Sequence, residues 1–191
     1  MKETELYSQL KKIAPASFLN FFKEAKSSAF RLELLNAYAV AEETEALNQF
    51  GKGIKTPSHG FNHDWISLIE ELALRNVKMQ RVRLIEEPVS EYLKFEIMWG
   101  YRLSVPAGEE IRIVDNPSMR SLIKTVPIVK DFWIFDDKTC VFLEYDFMGR
   151  FIGLQQLPDE ETVLYKKLKQ TIWEQSRNIK ETRYWELLGN D

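Results

Sequence analysis

Short stretches in which apolar and charged residues alternate recur along the chain, and they predict the strands of a sheet. FRLEL (30–34) alternates as a half-buried strand does. VKMQRVRLIEEP (77–88) has the same period of two. There Val77, Met79, Val82 and Leu84 become apolar neighbours while Arg81 and Arg83 share one face, provided a small irregularity falls near Gln80. AGEEIRIVD supplies another strand after a glycine turn. DFWIFDD, KTCVFLEYD and GRFIGLQQL supply three more, separated by hairpin turns at Asp136-Asp137 and at 146–149.

Helical spacings lie between them. Residues 3–13 and 15–26 read as two helices, with Pro15 in the first turn of the second and Phe18, Leu19, Phe21 and Phe22 forming its apolar stripe. AEETEALNQFGKG is a short helix stopped by Gly51 and Gly53. After the loop KGIKTPSHGFNHD, a helix capped by Asp64 places Trp65, Leu68, Ile69 and Leu72 on one face. Pro88 and Ser90 open SEYLKFEIMWGYRL, apolar enough to be buried on more than one side. PDEE puts negative charge at the start of the last helix, where Val163, Leu164, Leu168 and Ile172 recur at helical spacing. These elements add up to an α/β (α+β) fold, a mixed sheet of about 5–7 strands flanked by helices. The expected division is a helical N-terminal extension (1–26), one α/β domain (27–180) and a C-terminal tail (181–191).

With 45% apolar and 13% aromatic residues, the chain can build a packed core, so disorder explains nothing here. A net charge of −3 creates no field that draws it to nucleic acid or an anionic membrane. No apolar run is long enough for a signal peptide or a membrane span, so the expected location is cytoplasmic, with no membrane partner. Cys140 is the only cysteine, which excludes an internal disulfide; within TCVFLEY it reads as a small buried apolar side chain.

Few residues carry recognisable chemistry. His59 and His63 are spaced four apart beside Asp64, as zinc ligands on a helix are, but Gly60 lies between them and the segment reads as loop. Phosphate-binding glycine loops and serine nucleophile elbows are missing, so no catalytic residue, metal or cofactor is assigned. More specific are charged residues embedded in apolar strands: Arg31 and Glu33, Arg81 and Arg83, and Arg112. Arginine offers planar paired donors, and several on one sheet face would form a pocket for an anionic small molecule. Tyr92, Glu96 and Asp131 are expected to line the same region. The alternative is a row of cross-strand ion pairs with Glu33, Glu96 or Glu110, each worth about 0–1 kcal/mol if exposed. Trp65, Trp99, Trp133 and Trp173 fall in apolar stripes and belong to the core. Trp185 sits in a polar tail with Tyr184 and Leu187, where it would cover a homodimer interface or meet a partner helix.

FRLELLNAYAVAEE, WISLIEELALRNVKMQRVRLIEEPVSEYLKFEI, AGEEIRIVD and DFWIFDDKTCVFLEYDFMGRFIG together resemble an uncharacterised bacterial family best known from actinomycetes, DUF6879. That resemblance spans 18–173 and implies no activity. A more distant resemblance, to one half of the phospholipase D fold, rests on the order helix, RVRLI, helix, EEIRIVD, then DFWIFDD leading into a hairpin. Enzymes of that superfamily carry a histidine, a lysine two residues on and an aspartate five beyond that, because the histidine attacks phosphorus while the lysine steadies the phosphate charge. In VKDFWIFD those places hold Val129, Asp131 and Asp136, so only the aspartate fits and the resemblance implies a catalytically silent relative. The expectation is a non-enzymatic regulatory or interaction domain that binds an anionic small molecule or a protein partner. The alternative is a phosphodiesterase or nuclease that uses carboxylates and a divalent ion.

Overall fold

A computed structural model of the protein describes residues 3–187. Helix α1 (Glu3–Gln9) leads into strand β1 (Lys11–Ile13), then helix α2 (Phe18–Glu24) and strand β2 (Ser28–Glu33). Helices α3 (Thr44–Gly51) and α4 (His63–Leu74) carry the chain to β3 (Lys78–Leu84). One long helix returns it to β4 (Glu109–Val114): α5 (Glu91–Phe95), a π-helical stretch (Glu96–Tyr101) and α6 (Arg102–Ala107). Helix α7 (Pro117–Ile123) precedes the antiparallel run β5 (Phe132–Phe135), β6 (Thr139–Tyr145) and β7 (Phe151–Gln156). Helix α8 (Asp159–Gln175), the short β8 (Arg177–Asn178) and α9 (Arg183–Leu187) complete it.

The strands form one mixed sheet in the order β1-β7-β6-β5-β2-β3-β4-β8. Strands β2, β3 and β4 run parallel, and the helical crossovers joining them lie on one face. The opposite face is a dry apolar layer in which Phe30, Leu32, Val82, Phe132, Ile134 and Phe142 pack against Tyr165, Leu168 and Ile172 of α8 and Met119 and Ile123 of α7. Cys140 is buried in this layer, as its alternation implies.

Several expectations are refined. The sheet has eight strands, because β1 and β8 are too short to leave a periodic signal. Within residues 3–26 the first helix stops at Gln9, β1 pairs with β7, and Leu6 and Phe22 are fully buried in the two cores. Strand β3 needs no irregularity near Gln80, since it keeps continuous register with both neighbours. Met79, Arg81 and Arg83 share one face, and Val82 and Leu84 the other. At the start of α4 the cap position falls to Asn62, in the left-handed conformation, and Asp64 lies in the first turn. Trp185 is half-buried against the cluster that holds Ile97 and Tyr101, with the Arg102 guanidinium 3.8 Å from its ring. Residues 188–191 of the expected tail, and the side chain of Leu187, lie outside the described portion. No helix among the described residues is long and apolar enough to cross a membrane.

Asp136 and Asp137 lie in the three-residue β5–β6 turn (136–138) with φ of 52° and 55°, a left-handed conformation that Asp tolerates. The Asp136 carboxylate also accepts hydrogen bonds from the amides of Lys26, Ser27 and Ser28 at 2.7–3.1 Å and from the Ser27 hydroxyl, fixing the entry to β2. Burial pushes its pKa up, but those donors together outweigh it and hold the pKa down at about 2, from the usual 3.8. A depressed carboxylate stabilises the fold above its unfolded pKa and loses that contribution as the pH falls through its folded one. Asp136→Asn is therefore expected to cost about 1–2 kcal/mol in urea denaturation at pH 7. The same substitution should reduce the stability lost between pH 4 and pH 2, read from melting curves across that range.

Candidate functional site

On the helix-covered face, the parallel register places Arg31 directly beside Arg81, and Glu33 beside Arg83. Two guanidiniums side by side repel, and the pair is tolerated because Glu33 bridges them. Its Oε1 lies 2.9 Å from Arg31 Nε and 2.6 Å from Arg81 Nη1. Its Oε2 lies 3.1 Å from Arg83 Nη1 and accepts a 3.0 Å hydrogen bond from the Tyr101 hydroxyl. Although burial alone would raise it, the three arginines hold the Glu33 carboxyl far below the usual range. Arg81 also meets Glu109 at 2.8 Å, and Arg83 meets Glu96 at 3.1 Å. The arginines rest on rings as well: Arg83 over Tyr38, Arg81 over Tyr101 and Trp65, and Arg31 over Tyr38 and Trp133.

Above this ionic floor opens a cavity of about 340 Å³. The segments that leave β2 and β3 build its walls: Tyr38, Val40 and Glu43 from the first, Tyr92, Phe95, Glu96, Gly100 and Tyr101 from the second. Phe61, Asn62 and Trp65 at the start of α4, with Tyr145 and Phe151 from the β6–β7 hairpin, complete them. The π-helical stretch matters here, because an extra residue per turn brings Tyr101 to the same wall as Tyr92 and Glu96. Tyr38 is held from two sides. Its hydroxyl donates a short hydrogen bond to Asp131, which also accepts the Leu34 amide, and Ala39 donates to the Gly149 carbonyl at 2.9 Å. Gly149 has a φ of 77° and a Cβ there would stand 3.0 Å from the Ala37 carbonyl, so only glycine lets hairpin and loop close this near.

Burial dominates the acid–base behaviour of the remaining carboxylates. It pushes Glu96 up to about 7 despite the opposing charge of Arg83, and Asp131 up to about 6 despite Arg31 and the Tyr38 hydroxyl. Glu43 is also raised by burial, with the Tyr92 hydroxyl donating to it at 2.8 Å as the main counterweight. Tyr38, Tyr92 and Tyr101 are all raised, so they act as donors.

Of the expected residues, Arg31, Glu33, Arg81, Tyr92 and Glu96 line the cavity. Arg83 lies fully buried beneath it, and Asp131 stands behind Tyr38, facing a smaller neighbouring hollow. Arg112 is elsewhere: it pairs in register with Val82, on the apolar face, where it donates to Ser176 and stacks on Trp173 at 5.0 Å. Of the expected ion-pair partners, Glu33 and Glu96 serve, whereas Glu109 takes the place expected of Glu110, which is bonded to Gln80 on the opposite face. Tyr38, Glu43, Trp65, Tyr101 and Tyr145 also belong to the site. Only Tyr101, five residues after Glu96, had a local clue in its own helix; the others are brought in by loops and distant strands. His59 and His63 border a shallow hollow beside the cavity, and no group of three metal-ligating side chains occurs among the described residues.

A family model described as a domain of unknown function (DUF6879) matches residues 16–185. No curated protein matches the chain significantly.

Removing the bridging charge should be severe. Glu33→Gln strands buried guanidiniums and is expected to cost about 3–5 kcal/mol, measured by chemical denaturation. Arg112→Ala, outside the network, should cost about 1–2 kcal/mol in the same assay. Glu96 and Asp131 have raised folded pKa values, so their stabilising effect is complete below the unfolded pKa and disappears as the pH rises through about 6 to 7. The melting temperature should therefore fall between pH 4.5 and 7.5, and Glu96→Gln should flatten the upper part of that fall.

Proposed function

The chain belongs to the DUF6879 family, whose description names no activity, and we propose that it is a non-enzymatic regulatory domain that binds a small molecule in this cavity. The observation that carries the reading is the cavity itself: a hollow of about 340 Å³ with aromatic walls and an ionic floor. Its size suits one small ligand. It also lies among the segments that follow the carboxyl ends of the parallel strands β2 and β3, where open α/β sheets bind their ligands.

Regulation is favoured over turnover by what the polar groups do. A nucleophile needs a base within hydrogen-bond reach that is free to take its proton. Here the tyrosine hydroxyls donate to Glu33, Glu43 and Asp131, and Glu33 is held by three arginines. The position resembling a phospholipase D aspartate, Asp136, is engaged in capping the start of β2. Val129, at the histidine position, is 46% exposed on the surface outside the cavity wall.

The arginines that suggested an anionic ligand are themselves neutralised by carboxylates, so recognition rests on the rings and on the carboxylates left over. A thermal-shift screen of small metabolites covering amines, nucleotides, carboxylates and sugars tests the reading. At least one compound should raise the melting temperature saturably, equivalent to about 2.7 kcal/mol at a hundredfold excess over Kd. Gly100→Leu, which fills the wall without touching a charge, should abolish that shift. Steady hydrolysis of a phosphodiester with magnesium or manganese, lost in Asp131→Asn, would overturn the proposal.

A further inference from the structure

The charge balance of the cavity specifies the ligand more closely. In the cavity wall and directly beneath it stand Arg31, Arg81 and Arg83 together with Glu33, Glu43, Glu96, Glu109 and Asp131. Carboxylates thus outnumber guanidiniums by two, and no lysine lines the cavity. Both arginines in the lining are paired with Glu33, so their charge is already met by a carboxylate. An excess of like charge beside low-dielectric walls is unfavourable, and an anion would add to it.

The excess is concentrated at one place in the wall. Glu96 is 8% exposed, and its Oε2 has no hydrogen-bond donor; its charge partner, Arg83 Nη1 at 3.1 Å, is shared with Glu33. Glu43 lines the same cavity with Tyr92 as its one hydrogen-bond donor. The rings of Phe61, Tyr92 and Tyr145 line the same cavity, with Tyr38 and Trp65 on which arginines already rest, and ring electrons attract a cation.

We propose that the cavity binds an organic cation, a protonated amine carried on an apolar body, with the ammonium between Glu96 and Glu43 and the body against the aromatic walls. The assignment rests on the ligand-binding reading above. The raised proton affinities of Glu96 and Glu43 agree with it, since in the empty site protons supply the missing positive charge. Glu96 faces Arg81 and Arg83 of β3, Glu33 of β2, Glu43 from the segment before α3, and Tyr92 and Tyr101 of its own helix. Of these, Glu43 shares the upward direction, and Asp131, behind Tyr38, is raised to about 6, so the pH dependence near neutrality falls chiefly on Glu96.

Three probes that share one body and differ in charge test this: phenethylamine, 2-phenylethanol and phenylacetate, titrated calorimetrically at pH 6 and pH 8. Phenethylamine should bind at least about tenfold more tightly than either analogue at pH 8, and more tightly at pH 8 than at pH 6, with protons released on binding. Glu96→Gln should lower its affinity by about tenfold and reduce the pH dependence. Glu43→Gln, at a half-exposed position, gives an independent check and should weaken binding without disturbing the fold. Preferential binding of phenylacetate or 2-phenylethanol would overturn the cation assignment and leave small-molecule binding in place. Failure of all three to bind at millimolar concentration would also overturn it, whereas failure of the wider metabolite screen overturns the ligand-binding reading. Stabilisation by calcium or magnesium, lost in Glu96→Gln, would replace the organic cation with a metal and equally sink the proposal.

Discussion

The structure turns on one carboxylate buried among three guanidiniums. Glu33 is 1% exposed, and each of its oxygens is shared between partners on different strands or helices. Charges removed from water are expensive, and such a cluster holds together only when every member has a partner in good geometry. The parallel register of β2 and β3 aligns like charges that no other arrangement of this face would accept. Once Glu33 is in place, Arg83 calls for a second acid and Glu96 supplies it, while the spare lone pair on Glu33 takes the Tyr101 hydroxyl. The long helix is thereby fixed to the sheet through polar contacts as well as through Leu93 and Ile97.

The same constraint explains why there is a cavity. A face carrying Ala29, Arg31 and Glu33 on one strand and Met79, Arg81 and Arg83 on the next cannot be covered by close-packed aliphatic side chains in its middle. The apolar ends of the face are covered by α2 and α4 on one side and by α5 and α6 on the other. Between them the charged floor is roofed by amphipathic rings, which offer hydroxyls or electron-rich faces to the ions below and apolar edges to each other. The π-helical stretch belongs to this accommodation, because a regular helix would not present Tyr92, Glu96 and Tyr101 together.

Much of the fold is legible in the sequence where one element carries its own signal. Strands β2 to β7 announce themselves by alternation, the Asp136-Asp137 turn by residues that tolerate positive φ, and Ser90 by its place before an apolar run, where it accepts the Leu93 amide. Elements defined by a partner alone, such as β1 against β7 and β8 against β4, leave no local trace. The same division applies to the site. Arginines in apolar strands flag a polar layer, but parity decides its membership, and the irregularity expected near Gln80 obscured the simple alternation that separates Arg81 and Arg83 from Arg112. Tyr38, Glu43 and Tyr145 reach the cavity through tertiary contacts with Asp131, Tyr92 and Arg31, which no spacing along the chain encodes.

A site built this way has an energetic consequence for how a ligand would act on it. The surplus carboxylates are tolerated at neutral pH only at a cost in stability, because burial favours their protonated forms. Whatever relieves that charge stabilises the folded state by its own binding free energy. The relief is felt first by Glu43 and Tyr92, which join the segment after β2 to the helix after β3, and through Tyr38 by the loop clasped to Gly149 in the β6–β7 hairpin. That hairpin ends in Phe147 and Met148, both largely exposed. Hydrogen bonds and ring contacts therefore run from the cavity wall through Tyr38 and its loop to the hairpin that carries this exposed tip.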